Sequence, residues 1–143
     1  FGDQYQWALC STSAVAGEAS TSAGSAVVEA ALAYAAAERA SIEQARATID
    51  EASGRGPVVL WGMATKGVVF ASLVGAPGLV GGIDVNAKKQ HKFVPGSGLE
   101  IHPPEWLGQL PGAPTVIVMN PNYEAEIRAR IAGIRPDVTV KTV

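Results

Sequence analysis

The ten residues VVLWGMATKG, at positions 58–67, carry the strongest fold signal in this sequence. The four apolar residues Val58–Trp61 are typical of a strand that is buried on both faces, as in a parallel sheet. Gly62 and Gly67, with Ala64 between them, fit the G-x-G-x-x-G pattern of a tight turn that leads from a strand into a helix. This order of strand, turn and helix predicts the first half of a βαβ unit.

Strand and helix patterns alternate on both sides of this turn. Alanine-rich Ala26–Ser53, with apolar residues at threes and fours, predicts a long helix that either packs on the core or bridges to another domain. Beyond the turn, we predict helices over Val68–Val74, Pro103–Leu107 and Asn122–Ala132, and strands over Leu79–Asp84, Leu99–Ile101, Thr115–Met119 and Asp137–Val140. The alternation predicts an α/β fold, namely a Rossmann-like, doubly wound, mainly parallel sheet with flanking helices.

The first 25 residues differ in composition from the rest. Residues 3–10 alternate loosely and predict a short strand, whereas Thr12–Gly24 is rich in Ser, Ala, Thr and Gly and predicts a mobile connection. We therefore expect residues 1–25 to form a connecting segment and residues 26–143 to form the Rossmann-like domain. A start at Phe1, without an initiator Met, indicates a piece of a larger protein.

Composition excludes several classes of function. A net charge of −2 does not indicate a positively charged surface that would bind nucleic acid or an anionic membrane. No apolar run approaches the roughly 18 residues of a membrane span. A lone Cys10 predicts neither a disulfide nor a metal site and fits a cytoplasmic protein.

The turn at 62–67 is also the first candidate binding site. Backbone N–H groups at the start of a helix attract anions, so Thr65 and Lys66 are candidates to contact a phosphate or nucleotide, together with Gly62, Ala64 and Gly67. Asp84 ends the next strand, roughly 20 residues beyond Gly62, where dinucleotide-binding folds place the acid that meets a ribose hydroxyl. A turn with a purely structural role remains the alternative.

Other candidates follow the ends of neighbouring strands, where ligands bind in open α/β sheets. Asn86, Lys89 and His91 follow Asp84, and Asn120 and Tyr123 follow the strand that ends at Met119. Asn120 is equally suited to cap the helix after it. No catalytic residue is predicted, because neither histidine has the spacing of a catalytic triad or of a metal site.

Three segments, in this order, resemble the C-terminal domain of the S-adenosylmethionine-dependent sugar C-methyltransferase family. Residues 59–67 resemble a strand followed by G-A-x-x-K-G, and residues 83–97 resemble D-x-N-x-x-K-Q-G-x-x-x-P-G-[TS]. Residues 118–127 resemble a strand followed by N-x-x-Y-x-x-E-I. The resemblance covers about 29–140 and adds Pro95 and Gly96 to the candidate site.

The resemblance implies a larger enzyme whose zinc-binding domain and methyltransferase domain precede this one. S-adenosylmethionine, the zinc ligands and the catalytic base would then lie upstream of Phe1, and the partner of this chain would be the upstream methyltransferase domain. The chain itself would help to form the cleft for a small-molecule substrate, such as a nucleotide-linked sugar, without performing catalysis.

The sequence departs from the family pattern at two positions. Met63 replaces a small residue and is expected to crowd the anion turn, while His91 replaces a glycine and restricts a turn. Two other functions stay open. One is an NAD-type dinucleotide-binding domain of an oxidoreductase, and the other is a structural or interaction module without a ligand.

Overall fold

A computed structural model of the chain describes residues 21–75 and 77–143. The strand predicted over residues 3–10 and most of the connection predicted over 12–24 lie outside these ranges. The chain divides after Ala36, within a long helix. Residues Ala37–Val143 form one folded unit, which includes the C-terminal part of that helix.

Five strands and three α-helices make up the described secondary structure. In chain order they are α1 (Thr21–Ser53), β1 (Val58–Trp61), α2 (Thr65–Val74), β2 (Leu79–Ile83), β3 (Ile101–His102), β4 (Thr115–Val118), α3 (Glu124–Ile134) and β5 (Thr139–Thr142). Short 3-10 helices lie at Pro104–Gln109 and Pro121–Tyr123. None of the helices in the described ranges is long and apolar enough to cross a membrane.

The strands form one sheet in the order β3-β2-β1-β4-β5, and every neighbouring pair is parallel. β1 lies at the centre between β2 and β4, so the chain leaves β1 toward one side and later returns to its other side. Such a reversal of strand order is the switch point at which α/β sheets bind ligands. The predicted Rossmann-like, doubly wound architecture is confirmed.

Apolar residues cover both faces of the sheet, as the four-residue run of β1 predicts. Val58 and Leu60 pack on one face with residues of α1 and α2, while Val59 and Trp61 pack on the other face. The second face is covered by α3 and by the 3-10 helix that contains Leu107. Because β1 is buried on both sides, its carboxyl end is held rigidly at the switch point.

The long helix α1 differs along its length. It begins at Thr21, five residues before the predicted start, so the last residues of the predicted connection are helical. From Gly24 to Ala36 no side chain is buried, whereas Ile49 and Ala52 are fully buried. Arg46 Nε also donates to the carbonyl of Val74 at 2.6 Å and thereby satisfies the end of α2. Core packing, one of the two roles left open for this helix, therefore holds for its C-terminal part.

The differences from the predicted elements have local causes. The last strand occupies 139–142 instead of 137–140, because Asp137 is held in a turn by Arg135, whose Nε lies 2.7 Å from Asp137 Oδ1. The guanidinium of Arg135 also donates to the carbonyls of Leu110 and Gly112. The segment after Pro103 forms a 3-10 helix and not an α-helix, in keeping with its short length and its two prolines.

Candidate functional site

The turn after β1 depends on close contact between backbone segments. Gly62 has a φ of +102°, in the region that favours glycine, and its N–H donates to the carbonyl of Ile83 at 2.9 Å. Gly67 lies so close to Gly62 that a methyl group on Gly67 would overlap the Gly62 carbonyl oxygen. The two glycines thus have the turn and packing roles that the sequence pattern predicted.

Met63 lies in the core and does not crowd the outer surface of the turn, so that expectation was wrong. Its side chain is 2% exposed and fills the space above Gly82, where an added Cβ would lie 2.6 Å from Met63 Cγ. The missing side chain of Gly82 on β2 therefore compensates for the large residue at 63. The outer side of the turn is formed by Ala64, Thr65 and Lys66, which are all exposed.

Asp84 holds the second turn together. Its carboxylate is buried, accepts the N–H of Asn86 at 2.9 Å on Oδ1, and pairs through Oδ2 with Lys89 Nζ at 2.8 Å. The Asp84 carbonyl accepts from Gln90 Nε2 at 2.9 Å, and Asn86 Oδ1 accepts the N–H of Lys88 at 3.0 Å. Both carboxylate oxygens are therefore engaged within the protein, and the predicted site residues Asn86 and Lys89 serve this turn.

His91 adopts a left-handed conformation, with a φ of +61°, at the position where the resembling family has glycine. Its Nδ1 lies 3.7 Å from Glu100 Oε1, and His102 Nδ1 lies 3.8 Å from the same oxygen. The ring of His102 stacks on Trp106 with a centroid distance of 3.7 Å, above Gly81.

Burial lowers the pKa of His102 below its ordinary 6.5, Glu100 opposes this shift, and His91 adds to it. Across residues 21–75 and 77–143, no three His, Cys, Asp or Glu side chains are grouped as a metal ion would require.

A cleft of about 220 Å³ opens at the switch point, at the carboxyl ends of β1, β2 and β4. Trp61 and Gly62 line it at the end of β1, and Asn120 and Tyr123 line it beyond the end of β4. Asn120 Oδ1 also accepts the N–H of Asn122 at 3.1 Å, so this residue both caps the following helix and lines the cleft. Tyr123 is 57% exposed, so much of its ring surface is accessible.

The structure separates the other candidates from this cleft. Thr65 and Lys66 line a different hollow, between α2, Met119 and the C-terminal Val143. Pro95 and Gly96 belong to a turn beside the C-terminal half of α2, where the Pro95 carbonyl accepts from Ser72 Oγ at 3.2 Å. Gly96 also lines a hollow with residues at the C-terminal end of α2 and at the start of β2.

Four lining residues of the cleft were not among the predicted site residues, namely Trp61, Val85, Glu126 and Ile127. Trp61 and Val85 lie where β1 and β2 end, so their strand-end positions were an available signal. Glu126 follows Tyr123 by one helical turn, and residues three apart lie on the same face of a helix.

Comparison with known proteins agrees with the resemblance found in the sequence. The family model described as "C-methyltransferase C-terminal domain" matches residues 13–139, which is most of the chain. A search of curated proteins gives no match. The all-parallel sheet, the glycine turn and the family model agree, and the chain belongs to the C-methyltransferase C-terminal domain family.

Proposed function

We propose that this chain is the substrate-binding accessory domain of an S-adenosylmethionine-dependent C-methyltransferase, and that its cleft takes part of a nucleotide-linked sugar or a similar acceptor. The observation that carries the proposal is the position of the cleft at the switch point of a parallel sheet, next to the left-handed glycine turn. The family assignment supplies the reaction class. We also propose a cytoplasmic location, which the single cysteine favours.

The lining of the cleft favours a ring with polar substituents. Val85 and Tyr123 are both exposed at its mouth and present apolar surface, while Asn120 and Glu126 supply polar atoms. A nucleobase or a deoxysugar combines a flat or apolar face with groups that hydrogen-bond to such side chains. The start of α2 follows this turn, and the N–H groups at the start of a helix suit a diphosphate.

The methyl donor is assigned to the upstream domain. A ribose hydroxyl needs a free acid, and the acid that this fold offers, Asp84, is already engaged by Lys89 and by the N–H of Asn86. Bound in the upstream domain, S-adenosylmethionine would supply an electrophilic methyl group to a nucleophilic carbon of the acceptor. The contribution of this chain is to bind and orient the acceptor, which lowers the entropic part of the barrier.

The first experiment titrates the isotopically labelled chain separately with thymidine diphosphate, NADH and S-adenosylmethionine while backbone amide shifts are recorded. We expect shifts at residues 62–67 and 120–127 with thymidine diphosphate alone. Shifts with NADH alone would replace the proposal with an oxidoreductase module. No shift with any ligand would leave a structural role for the turn.

A matched pair of tyrosine variants tests the cleft itself. Tyr123→Ala removes the exposed ring from the cleft and is expected to weaken binding of thymidine diphosphate about tenfold, since stacking on an aromatic ring contributes about 1–3 kcal/mol. Tyr34→Ala removes a ring from α1 that is 70% exposed, against 57% for Tyr123, and is expected to leave the affinity unchanged. Equal affinities for both variants would remove the cleft from the proposal.

A structural module without a ligand is the second candidate, and the engagement of Asp84 favours it. Lys89 and the Asn86 N–H use the carboxylate to hold the chain in its turn, a role that requires no ligand. The same contacts argue against an NAD-type domain, which needs this acid for the ribose.

A further inference from the structure

The apolar face of α2 lines a groove outside the candidate cleft. Val69 and Leu73 are 49% and 45% exposed although both are large apolar residues, and Val143 at the end of β5 is 55% exposed. Phe70 joins three adjoining hollows along this groove, with volumes of about 530, 310 and 220 Å³. Contiguous exposed apolar surface of this kind marks an interaction site in a folded protein.

Three elements form the groove, two as its walls and one as its floor. Ser41, Ala45 and Thr48 of α1 form one side, and α2 forms the other. The floor consists of Ile117 and Met119, at the carboxyl end of β4. One end of the groove therefore opens at the same edge of the sheet as the candidate cleft, but on the opposite face.

Positive charge borders the apolar floor. Lys66 lines the groove, and Lys141 lies opposite Ile117 in the sheet, on the same face as Val143. Within residues 21–75 and 77–143, neither lysine forms an ion pair, in contrast to Lys89. A surface with an apolar centre and carboxylates at its rim is complementary to this groove. Apolar contact would provide affinity, and the charges would fix the position of one surface on the other.

We infer that this groove is the docking site for the upstream domain of the same polypeptide, which presents an apolar segment with an acidic rim. A C-terminal domain follows another domain, and the chain arrives from it through α1, the helix that forms one wall of the groove. A domain seated there would also reach the edge of the sheet at which the cleft opens. The inference rests on the family assignment and not on the ligand of the cleft.

Cysteine labelling of the complete polypeptide tests the groove. In one variant Val69→Cys lies in the groove, and in the control Val80→Cys lies on β2, away from the groove and with nearly the same exposure, 46%. Reaction with iodoacetamide is followed by mass spectrometry of the peptide that carries the new cysteine. Each variant is measured in the complete polypeptide and in residues 1–143 alone.

We expect Val69→Cys to react about tenfold more slowly in the complete polypeptide than in residues 1–143, because it reacts only when the domains separate. Val80→Cys is expected to react at the same rate in both, because it lies outside the groove. Equal rates for Val69→Cys in the two forms would overturn the inference. Protection already present in residues 1–143 would overturn it as well, in favour of a segment of this chain or, if it rises with concentration, of a second copy.

A charge variant sharpens the result. Lys66→Glu, introduced into the Val69→Cys polypeptide, is expected to restore labelling toward the rate in residues 1–143, because the acidic rim would then face a like charge. Lys88→Glu changes an exposed lysine of the second turn, outside the groove, and is expected to leave the protection unchanged. Loss of protection in both variants would assign the effect to net charge and overturn the proposed register.

Discussion

The turns that follow β1 and β2 leave the same edge of the sheet, but different interactions hold them in place. The first turn depends on absent side chains, because Gly62 and Gly67 bring two stretches of backbone into contact. The second turn depends on a present side chain, the buried carboxylate of Asp84, which binds Lys89 and an N–H two residues on. Steric fit therefore determines the conformation of the first turn, whereas charge and hydrogen bonding determine that of the second.

The largest loss of stability is expected from a substitution at Gly67. A methyl group in Gly67→Ala overlaps the Gly62 carbonyl, so the helix must move from the strand, and we expect a loss of about 3 kcal/mol in the free energy of unfolding. The control is Gly133→Ala in α3, where an added Cβ would meet no atom within 4 Å beyond the helix's own backbone, and it should stabilise by about 0.5–1 kcal/mol. Urea unfolding measures both, and a small loss at Gly67 would remove the steric account of the first turn.

The second turn is expected to be less sensitive. Asp84→Asn keeps the shape of the side chain but leaves the Lys89 ammonium without its carboxylate, and we expect a loss of about 2 kcal/mol. Glu51→Gln breaks the exposed pair with Arg55 and should cost less than about 0.5 kcal/mol. If chemical denaturation gives equal losses for these two variants, burial of Asp84 does not strengthen its contacts.

A pair of variants at His91 separates backbone strain from side-chain contact. Both His91→Gly and His91→Ala remove the imidazole near Glu100, but only glycine adopts a φ of +61° without steric cost. The glycine variant is therefore expected to be more stable than the alanine variant by about 1 kcal/mol. Thermal unfolding of the two proteins makes the comparison, and equal melting temperatures would show that the backbone relaxes when the imidazole is removed.

The smallest change in the free energy of unfolding is expected from a change in pH. Because burial lowers the pKa of His102 in the folded protein, the unfolded chain binds this proton at a higher pH. The contribution of His102 to stability is thus fully present above pH 6.5 and is lost as the pH falls through its folded pKa. His102→Asn should show a flatter dependence of the free energy of unfolding between about pH 7 and pH 5. A parallel curve for the variant would assign the dependence to other groups.

The fold was predictable because its signals are local. The run Val58–Trp61 and the glycines after it predict a buried strand and a tight turn, and β1 occupies the predicted residues. The ends of elements were less predictable, since the start of β5 depends on an Arg135–Asp137 pair and on distant carbonyls that Arg135 reaches.

The candidate site was predictable only in part. Gly62, Asn120 and Tyr123 meet at the cleft because strand ends in a parallel sheet share one edge. The direction of each side chain was not available from the sequence. Lys66 therefore lies at a separate groove, and Met63 points inward, because helix packing and the space above Gly82 decide those directions.

Met63, in the turn after β1, and Gly82 of β2 share one volume, with consequences for how the family diversifies. An alanine at 82 meets Met63 Cγ at 2.6 Å, but a small residue at 63 vacates that space. Each substitution alone is unfavourable, through overpacking or a cavity, and the two together conserve volume. Substitutions at 63 and 82 should therefore occur together in related sequences, so that the residue at one position predicts the residue at the other.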